Sequence, residues 1–444
     1  MKSLVGALYD LATWLAQPLL RRKLRRRGAA EPGYLHAVEE RFGHYTQARP
    51  VGAAPLVWVH AVSLGETRAA AILLAALRPR LPGMRLLLTH GTATGRAEGG
   101  RLLQAGDVQV WQPWDSPGAV RRFLAHWRPD VGVLMETEIW PNLIREAAAR
   151  GVPLALANAR LSDRSLRGAR RAGALLRPAY RALSAVWAQT EADAARLRAL
   201  GAGPVTVLGN LKFDAQPAPE LLARGRAWRA GSDRPVVMLA SSRDGEEAEF
   251  LKQIKALELS GQAPEAIENV ATEAAAPAVQ WLIVPRHPQR FDDVAAAVAA
   301  AGLSLSRRSA WHALPEAAEV WLGDSLGEMA AYYALADVAL LGGSFAPLGG
   351  QNLIEAAACG CPVLMGPHTF NFAQAAELAQ AAGAARRVAD LAQAVHAARA
   401  LLADAPARAA MRAAAQDFAQ AHRGAAARSA EALQALLTGA EPAA

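Results

Sequence analysis

The chain has only two cysteines among 444 residues. Cys359 and Cys361 lie two apart in CGCP, a spacing that closes a disulfide poorly, and two thiolates do not complete a tetrahedral zinc site. A disulfide scaffold and a cysteine-based zinc site are therefore excluded, and the low cysteine use suits the cytosol. Lysine is also scarce: five of the 48 basic residues. The net charge of +8 is unevenly spread. Residues 1–27 hold Lys2, Arg21, Arg22, Lys23, Arg25, Arg26 and Arg27 against Asp10, a net of +6 that leaves +2 for the other 417 residues. A nucleic-acid binder needs a basic stripe on its folded body, so no nucleic-acid partner is expected. No Asp-x-Asp motif is present, and hard-metal sites want several oxygen ligands, so no metal is expected either.

A long uninterrupted apolar run is missing as well. The stretch LVGALYDLATWLAQPLL at 4–20 has 17 residues and includes Asp10, Gln17 and Pro18, whereas a spanning helix wants about 20 predominantly apolar residues. It lacks a small-residue cleavage site and has almost no basic region before it, which excludes an ordinary signal peptide. RRKLRRR follows directly and favours anionic lipid on the cytoplasmic side. The expectation is a membrane anchor over residues 1–30, either shallowly inserted or a short span. The competing reading is an amphipathic helix packed on the protein body with a solvated basic tail.

What is present is a globular α/β pattern, with 52% hydrophobic and 20% charged residues. LVWVHAV, MRLLLTH, VQVWQ, VGVLME, VPLALAN, AVWAQ and VTVLG alternate with helical segments up to residue 215. Each is short and continuous, as in strands covered on both faces. QPAPE at 216–220 breaks the pattern, which restarts with PVVMLAS, VQWLIVP, VWLGD, VALLGG and PVLMG. Two tandem Rossmann-like, doubly wound parallel sheets are predicted, at 31–215 and 216–425, with a helix end and frayed tail at 426–444. Ligands of such folds sit at the carboxyl ends of strands, and here also in a cleft between domains. Residues 256–278 are an Ala-rich, polar insert, read as a surface extension.

Polar residues gather at those strand ends. HAVSLGE at 60–66 is a strand-to-helix loop, yet Glu66 would repel a phosphate there. METEIWPN places Glu136 and Glu138 after VGVLM, on one side if the segment is extended. They read either as metal ligands or as one functional and one structural acid, and the metal-free reading is preferred. Lys212 in NLKFD suits a leaving phosphate or a sugar carboxylate. His60 and His90 follow strands as supporting residues, and Asn158, Arg160 and Ser162 in NARLS share the edge. In the second half, Arg286 and His287 follow a strand in VPRHPQR, and GDSLGEM has glycines that let backbone N–H groups approach an anion. GGQNLIEAAA starts a helix near Asn352, with Glu355 one turn on, suited to phosphate and ribose respectively. The nucleotide site is expected in this half.

HAVSLGE, METEIWPN, NARLS, NLKFD, VPRHPQRF, GDSLGEM, GGQNLIEAAA and MGPHTFNF, in that order, resemble the 3-deoxy-D-manno-octulosonic acid (Kdo) transferases, which attach Kdo to the lipid A precursor. The resemblance implies a GT-B glycosyltransferase at the cytoplasmic face of the inner membrane. It implies CMP-Kdo as donor, lipid IVA as acceptor, inversion at the sugar, and neither metal nor cofactor. By motif match Glu66 is the general base, and Glu136 and Lys212 stabilise the transition state. Arg286, His287, Gly327, Glu328, Met329, Asn352 and Glu355 line the CMP site, the first domain takes the acceptor and the second the donor. Many members have His-Asn-Pro where this chain has Gln351, Asn352 and Leu353, so Gln351 receives no role, and the 256–278 insert falls outside the family pattern. Another GT-B transferase or an epimerase using a UDP-sugar stays open, as does an inactive nucleotide-sugar-binding protein.

Overall fold

The computed structural model describes residues 4–50, 52–261 and 278–439. Most of the 256–278 insert and nearly all of the terminal GAEPAA therefore lie outside the described residues. The chain forms two compact units, Met1–Asp214 with Arg423–Ala444, and Ala215–His422.

In the first unit, β1 (Leu56–His60), β2 (Arg85–His90), β3 (Val108–Trp111), β4 (Val131–Met135), β5 (Leu154–Ala159), β6 (Ala185–Ala188) and β7 (Val205–Val207) form one sheet ordered β3-β2-β1-β4-β5-β6-β7. Every pairing is parallel. Both faces are covered. Leu56, Trp58, Leu134 and Leu156 join one core, while Val57, Val59, Val133 and Ala157 join the other. That double burial explains why each strand reads as a continuous apolar run, with full burial of such side chains contributing about 1.5–3 kcal/mol each. Gly132 is required by close approach: a Cβ there would lie 2.2 Å from Leu154 Cδ2 and 2.7 Å from Trp58. The last helix, Ala425–Thr438, adds Ala425, Ala426, Ala430 and Leu433 to the second of these cores. Its first turn is held by the Asp214 carboxylate, which accepts from Gly424 N at 2.5 Å and Ala426 N at 2.7 Å.

The second unit repeats the scheme with β8 (Val236–Ser242), β9 (Gln280–Pro285), β10 (Leu305–Arg307), β11 (Val320–Leu322), β12 (Val338–Leu341), β13 (Val363–Met365) and β14 (Ala385–Arg387), ordered β10-β11-β9-β8-β12-β13-β14. β10 and β14 are absent from the sequence reading. Both are three-residue edge strands, LSR and ARR, each only partly buried. With one neighbour and one covered face apiece, they carry no continuous apolar run to read. In the first sheet the strand order reverses between β1 and β4, and the second sheet reverses likewise between β8 and β12, its β10 and β11 being exchanged at the edge; ligand crevices form at such central reversals.

The N-terminal segment is two helices, Leu4–Leu15 and Gln17–Ala30. Among the described residues no helix is long and apolar enough to cross a membrane. At 1.5 Å per residue, the 12 residues of the first helix reach about 18 Å, short of the ~30 Å hydrocarbon core. The short-span form of the expected anchor is therefore set aside. Leu4, Leu8, Leu11, Trp14 and Leu15 lie exposed, whereas the polar edge docks: Tyr9 donates to Asp115 at 2.9 Å and Arg145 Nη2 to Asp10 at 3.5 Å. The second helix buries Leu24 and Gly28, and its Arg21 pairs with Glu39. Arg22, Lys23, Arg25, Arg26 and Arg27 stay exposed.

Candidate active site

The strand order places the loops after β1 and β4 on either side of the first reversal. The loop after β1 is short because Ser63 caps the helix Leu64–Leu77, accepting from Glu66 N at 3.4 Å. Glu66 reaches back in turn: Oε2 accepts from Val62 N at 2.8 Å and Oε1 from the Ser63 hydroxyl at 3.2 Å. This is a form of the Ser-x-x-Glu capping box, a signal present in SLGE that the sequence reading passed over. The carboxyl is half-buried. Burial pushes it up to about 7, the Val62 N–H and Ser63 hydroxyl work against that rise, and the charges of Glu138 and Glu136 add to it.

Across the reversal the segment after β4 is not extended as expected. The strand ends at Met135, and Glu136 takes a left-handed backbone with φ 56°, so the same-side rule for residues two apart does not apply. Such a conformation costs a non-glycine residue about 1–3 kcal/mol and persists where its surroundings enforce it. Here Arg160 N donates to Glu136 O, and the buried side chain lies between two cations. Arg160 Nε donates to Oε2 at 2.8 Å and Lys212 Nζ stands 3.1 Å from Oε1. Lys212 is carried there by Asn158, itself at φ 52°, whose Oδ1 accepts from Leu211 N at 3.0 Å. Glu138 instead accepts from Trp140 Nε1 at 2.8 Å, and burial raises its carboxyl above the usual range.

His60 and His90 are fully buried. Burial holds their rings neutral, at about 3 and about 4. His60 Nδ1 lies 3.0 Å from Thr89 Oγ1 and His90 Nδ1 lies 2.9 Å from Ala61 O, so both rings tie strand ends together. Ser162 caps the helix Asp163–Arg171 through Ser165 N. Among the described residues, no group of three or more His, Cys, Asp or Glu side chains is arranged to hold a metal ion.

In the second unit Arg286 and His287 follow β9 and are exposed. Burial lowers the His287 ring, and the nearby charges of Arg243 and Arg286 lower it further. Three basic side chains thus share this edge, and Arg243 was missed although it follows the strand PVVMLASS. Asn352 caps the helix Leu353–Ala358, its Oδ1 accepting from Ile354 N at 3.2 Å. Gly327 has φ 80°, Glu328 precedes the helix Met329–Leu335, and Met329 Sδ accepts from Ser241 Oγ at 3.8 Å. The Glu328 carboxylate accepts from Arg224 at 2.6 Å and from Arg308 Nε at 3.0 Å. Burial works against its charge, but hydrogen bonds from Ser325 and Arg308 outweigh this and hold it below the usual range.

The glycine-rich loop after β12 departs from expectation. Part of its backbone N–H supply is already taken by Glu246, which the sequence reading missed. That carboxylate is 3% exposed and accepts from Gly343 N at 2.8 and 2.7 Å, with longer bonds from Phe345 N at 3.3 Å and Ala346 N at 3.4 Å. MGPHTFNF braces the same loop: His368 N donates to Ser344 O and Asn371 N to Gly349 O, each at 3.0 Å. Gly349 cannot carry a side chain, since a Cβ would fall 2.4 Å from Asn371 Nδ2 and its φ is 90°.

A glycosyltransferase from Rickettsia africae has a similar structure, with TM-score 0.55 and 12% identity, covering 88% of this chain and 100% of that one. At that identity the likeness shows the fold alone: two parallel sheets in tandem, the GT-B arrangement of glycosyltransferases. A family model described as 3-deoxy-D-manno-octulosonic-acid transferase (kdotransferase) matches residues 36–215. A 3-deoxy-D-manno-octulosonic acid transferase of Bordetella pertussis is 51% identical over 400 residues, 89% of this chain and 90% of that protein. One from Haemophilus influenzae is 33% identical over 371 residues, 82% of each. The chain belongs to the Kdo transferase family and is a glycosyltransferase.

Proposed function

We propose that the protein transfers Kdo from CMP-Kdo to lipid IVA in lipopolysaccharide biosynthesis, at the cytoplasmic face of the inner membrane, with Glu66 as the general base. Family membership supports the transfer of Kdo. The observation that carries the catalytic assignment is the half-buried Glu66 carboxyl, raised to about 7 beside a reversal in strand order. A base works best with its pKa near the operating pH, and it contributes typically ~10²–10⁴-fold. As the acceptor hydroxyl oxygen bonds to the anomeric carbon of Kdo, its proton passes to Glu66 and the bond to CMP breaks with inversion. Lys212 and Glu136, fixed against each other at 3.1 Å, serve the developing charges: Lys212 that of the departing phosphate, Glu136 that of the oxocarbenium-like sugar.

The first unit takes the acceptor, and the second holds the nucleotide. The Arg286 guanidinium at its edge suits the phosphate, with His287 beside it as a neutral hydrogen-bonding partner. Gly327, Glu328 and Met329, with Asn352 and Glu355, border the remainder of CMP. The N-terminal helix fits shallow insertion, because its apolar residues stand exposed beside exposed Arg22, Lys23 and Arg25, a pairing that favours an anionic lipid surface. The test is incubation with lipid IVA vesicles and CMP-Kdo, read by mass spectrometry. Mass increments of Kdo are expected, and their number counts the residues added. No increment with CMP-Kdo, or an increment with a UDP-sugar instead, overturns the reading.

A further inference from the structure

Arg160 has a feature that the reaction as described leaves unused. Its side chain is 49% exposed and anchored by one nitrogen, Nε, to Glu136 Oε2 at 2.8 Å. Among the described residues its Nη1 and Nη2 make no hydrogen bond, so the end-on face of the guanidinium is open. That face is a planar two-donor fork, the shape that meets a carboxylate at two points. The fork is also held in place. Arg160 follows β5, which pairs with β4, and its own N–H donates to Glu136 O. The side chain and main chain of one residue thus grip another at the strand ends beside the reversal.

Charge balance supports an anion there. Glu136 is shared by two cations, Arg160 and Lys212, so this trio is net positive. The transferred sugar is an acid, and its carboxylate is bonded directly to the reacting anomeric carbon. Lys212 is less open, at 24%, and is already assigned to the leaving phosphate. We propose that Arg160 binds the carboxylate of the transferred sugar end-on, with Glu136 holding the guanidinium for that contact. This rests on the reading of the protein as a transferase using CMP-Kdo.

The test is a cycle between protein and substrate. Wild type and Arg160→Gln are assayed with CMP-Kdo and with its analogue bearing a carboxamide in place of the sugar carboxylate. With CMP-Kdo, the variant is expected to lose ~10–100-fold in kcat/KM, the scale of a charge-assisted two-point contact. Wild type should lose a similar factor with the amide, and the variant should treat acid and amide alike. A merely structural role for Arg160 would not erase that discrimination. Losses that multiply would overturn the proposal, as would an equal loss of affinity for CMP alone, which would move the contact to the phosphate. If Arg160→Gln does not fold, Arg160→Lys keeps the charge without the fork and should show weakened discrimination between acid and amide; unchanged discrimination would count against the proposal. Absence of transfer by wild type would overturn the function reading itself, a distinct result.

Discussion

The two units hold a glutamate at the same place in the fold in different surroundings. In each, the first strand in chain order, β1 or β8, runs into a loop and then a helix, and a Glu in the first turn reaches back to that loop. Glu66 accepts from its own loop, Val62 N and Ser63 Oγ, and remains half-buried. Glu246 accepts from Arg243 N in its own loop and crosses to the loop after β12, binding Gly343 N and, at longer range, Phe345 N and Ala346 N. At 3% exposure it acts as an internal anion that seals a glycine-rich turn. Burial raises both carboxyls, but the hydrogen bonds opposing that rise come from two groups at Glu66 and from four backbone positions at Glu246. Position in the fold therefore does not assign the role. The carboxylate proposed as base is the one with fewer opposing donors, Glu66.

Exchanging each carboxylate for an amide should separate the two roles. Glu66→Gln keeps the hydrogen-bonding shape of the cap, so kcat should fall ~10²–10⁴-fold, equivalent to about 3–5.5 kcal/mol of barrier, with little change in melting temperature. Near-normal turnover would end the assignment of Glu66 as base. Glu246→Ala should do the reverse. It strands buried N–H groups of the loop after β12, each costing about 1–3 kcal/mol if unmet, so a net loss of ~3 kcal/mol after relaxation is expected in thermal or urea unfolding. A Glu246→Ala protein as stable as wild type would mean that the loop does not depend on this carboxylate.

The pH dependence should split along the same line. As the proposed base, Glu66 would act in its ionised form, so kcat/KM should rise with pH through about 7. Its contribution to stability has the opposite sign. A folded-state carboxyl raised from 4.5 to about 7 binds more protons than the unfolded chain between those values, so that contribution is largest at low pH and is lost as pH climbs through the window. Parallel pH series of kcat/KM and melting temperature on wild type and Glu66→Gln should show both trends weaken together in the variant.

The fold was readable to the extent that burial was two-sided. VGVLM and VPLALAN declared themselves because both faces of β4 and β5 are covered. LSR and ARR did not, because edge strands need no apolar run. At the site, residue type at a strand end made Glu136 and Lys212 candidates, and the motif resemblance made Glu66 the candidate base. What sequence could not reveal was partnership. Nothing in DGEE says that Glu246 meets a loop about a hundred residues later, and nothing in METE says that Glu136 adopts φ 56°. Those facts arise from strands brought together by the sheet order. The Ser63–Glu66 box was legible, but it was masked by the question of why a carboxylate stands where a phosphate would.

That box supplies the smallest and finest test. The Ser63 hydroxyl both donates to Glu66 Oε1 and accepts from Glu66 N. Ser63→Ala removes the helix cap, which should cost about 1 kcal/mol in unfolding. It also removes one of the two interactions that hold the Glu66 carboxyl down, leaving Val62 N as the other. The midpoint of the kcat/KM profile should therefore move to higher pH, while the plateau above it stays close to wild type, since the base and its access are intact. No equivalent shift should follow at Glu246, whose opposing donors are all backbone. A midpoint that stays in place in Ser63→Ala, or moves down, would show that the titrating group in the profile is not Glu66.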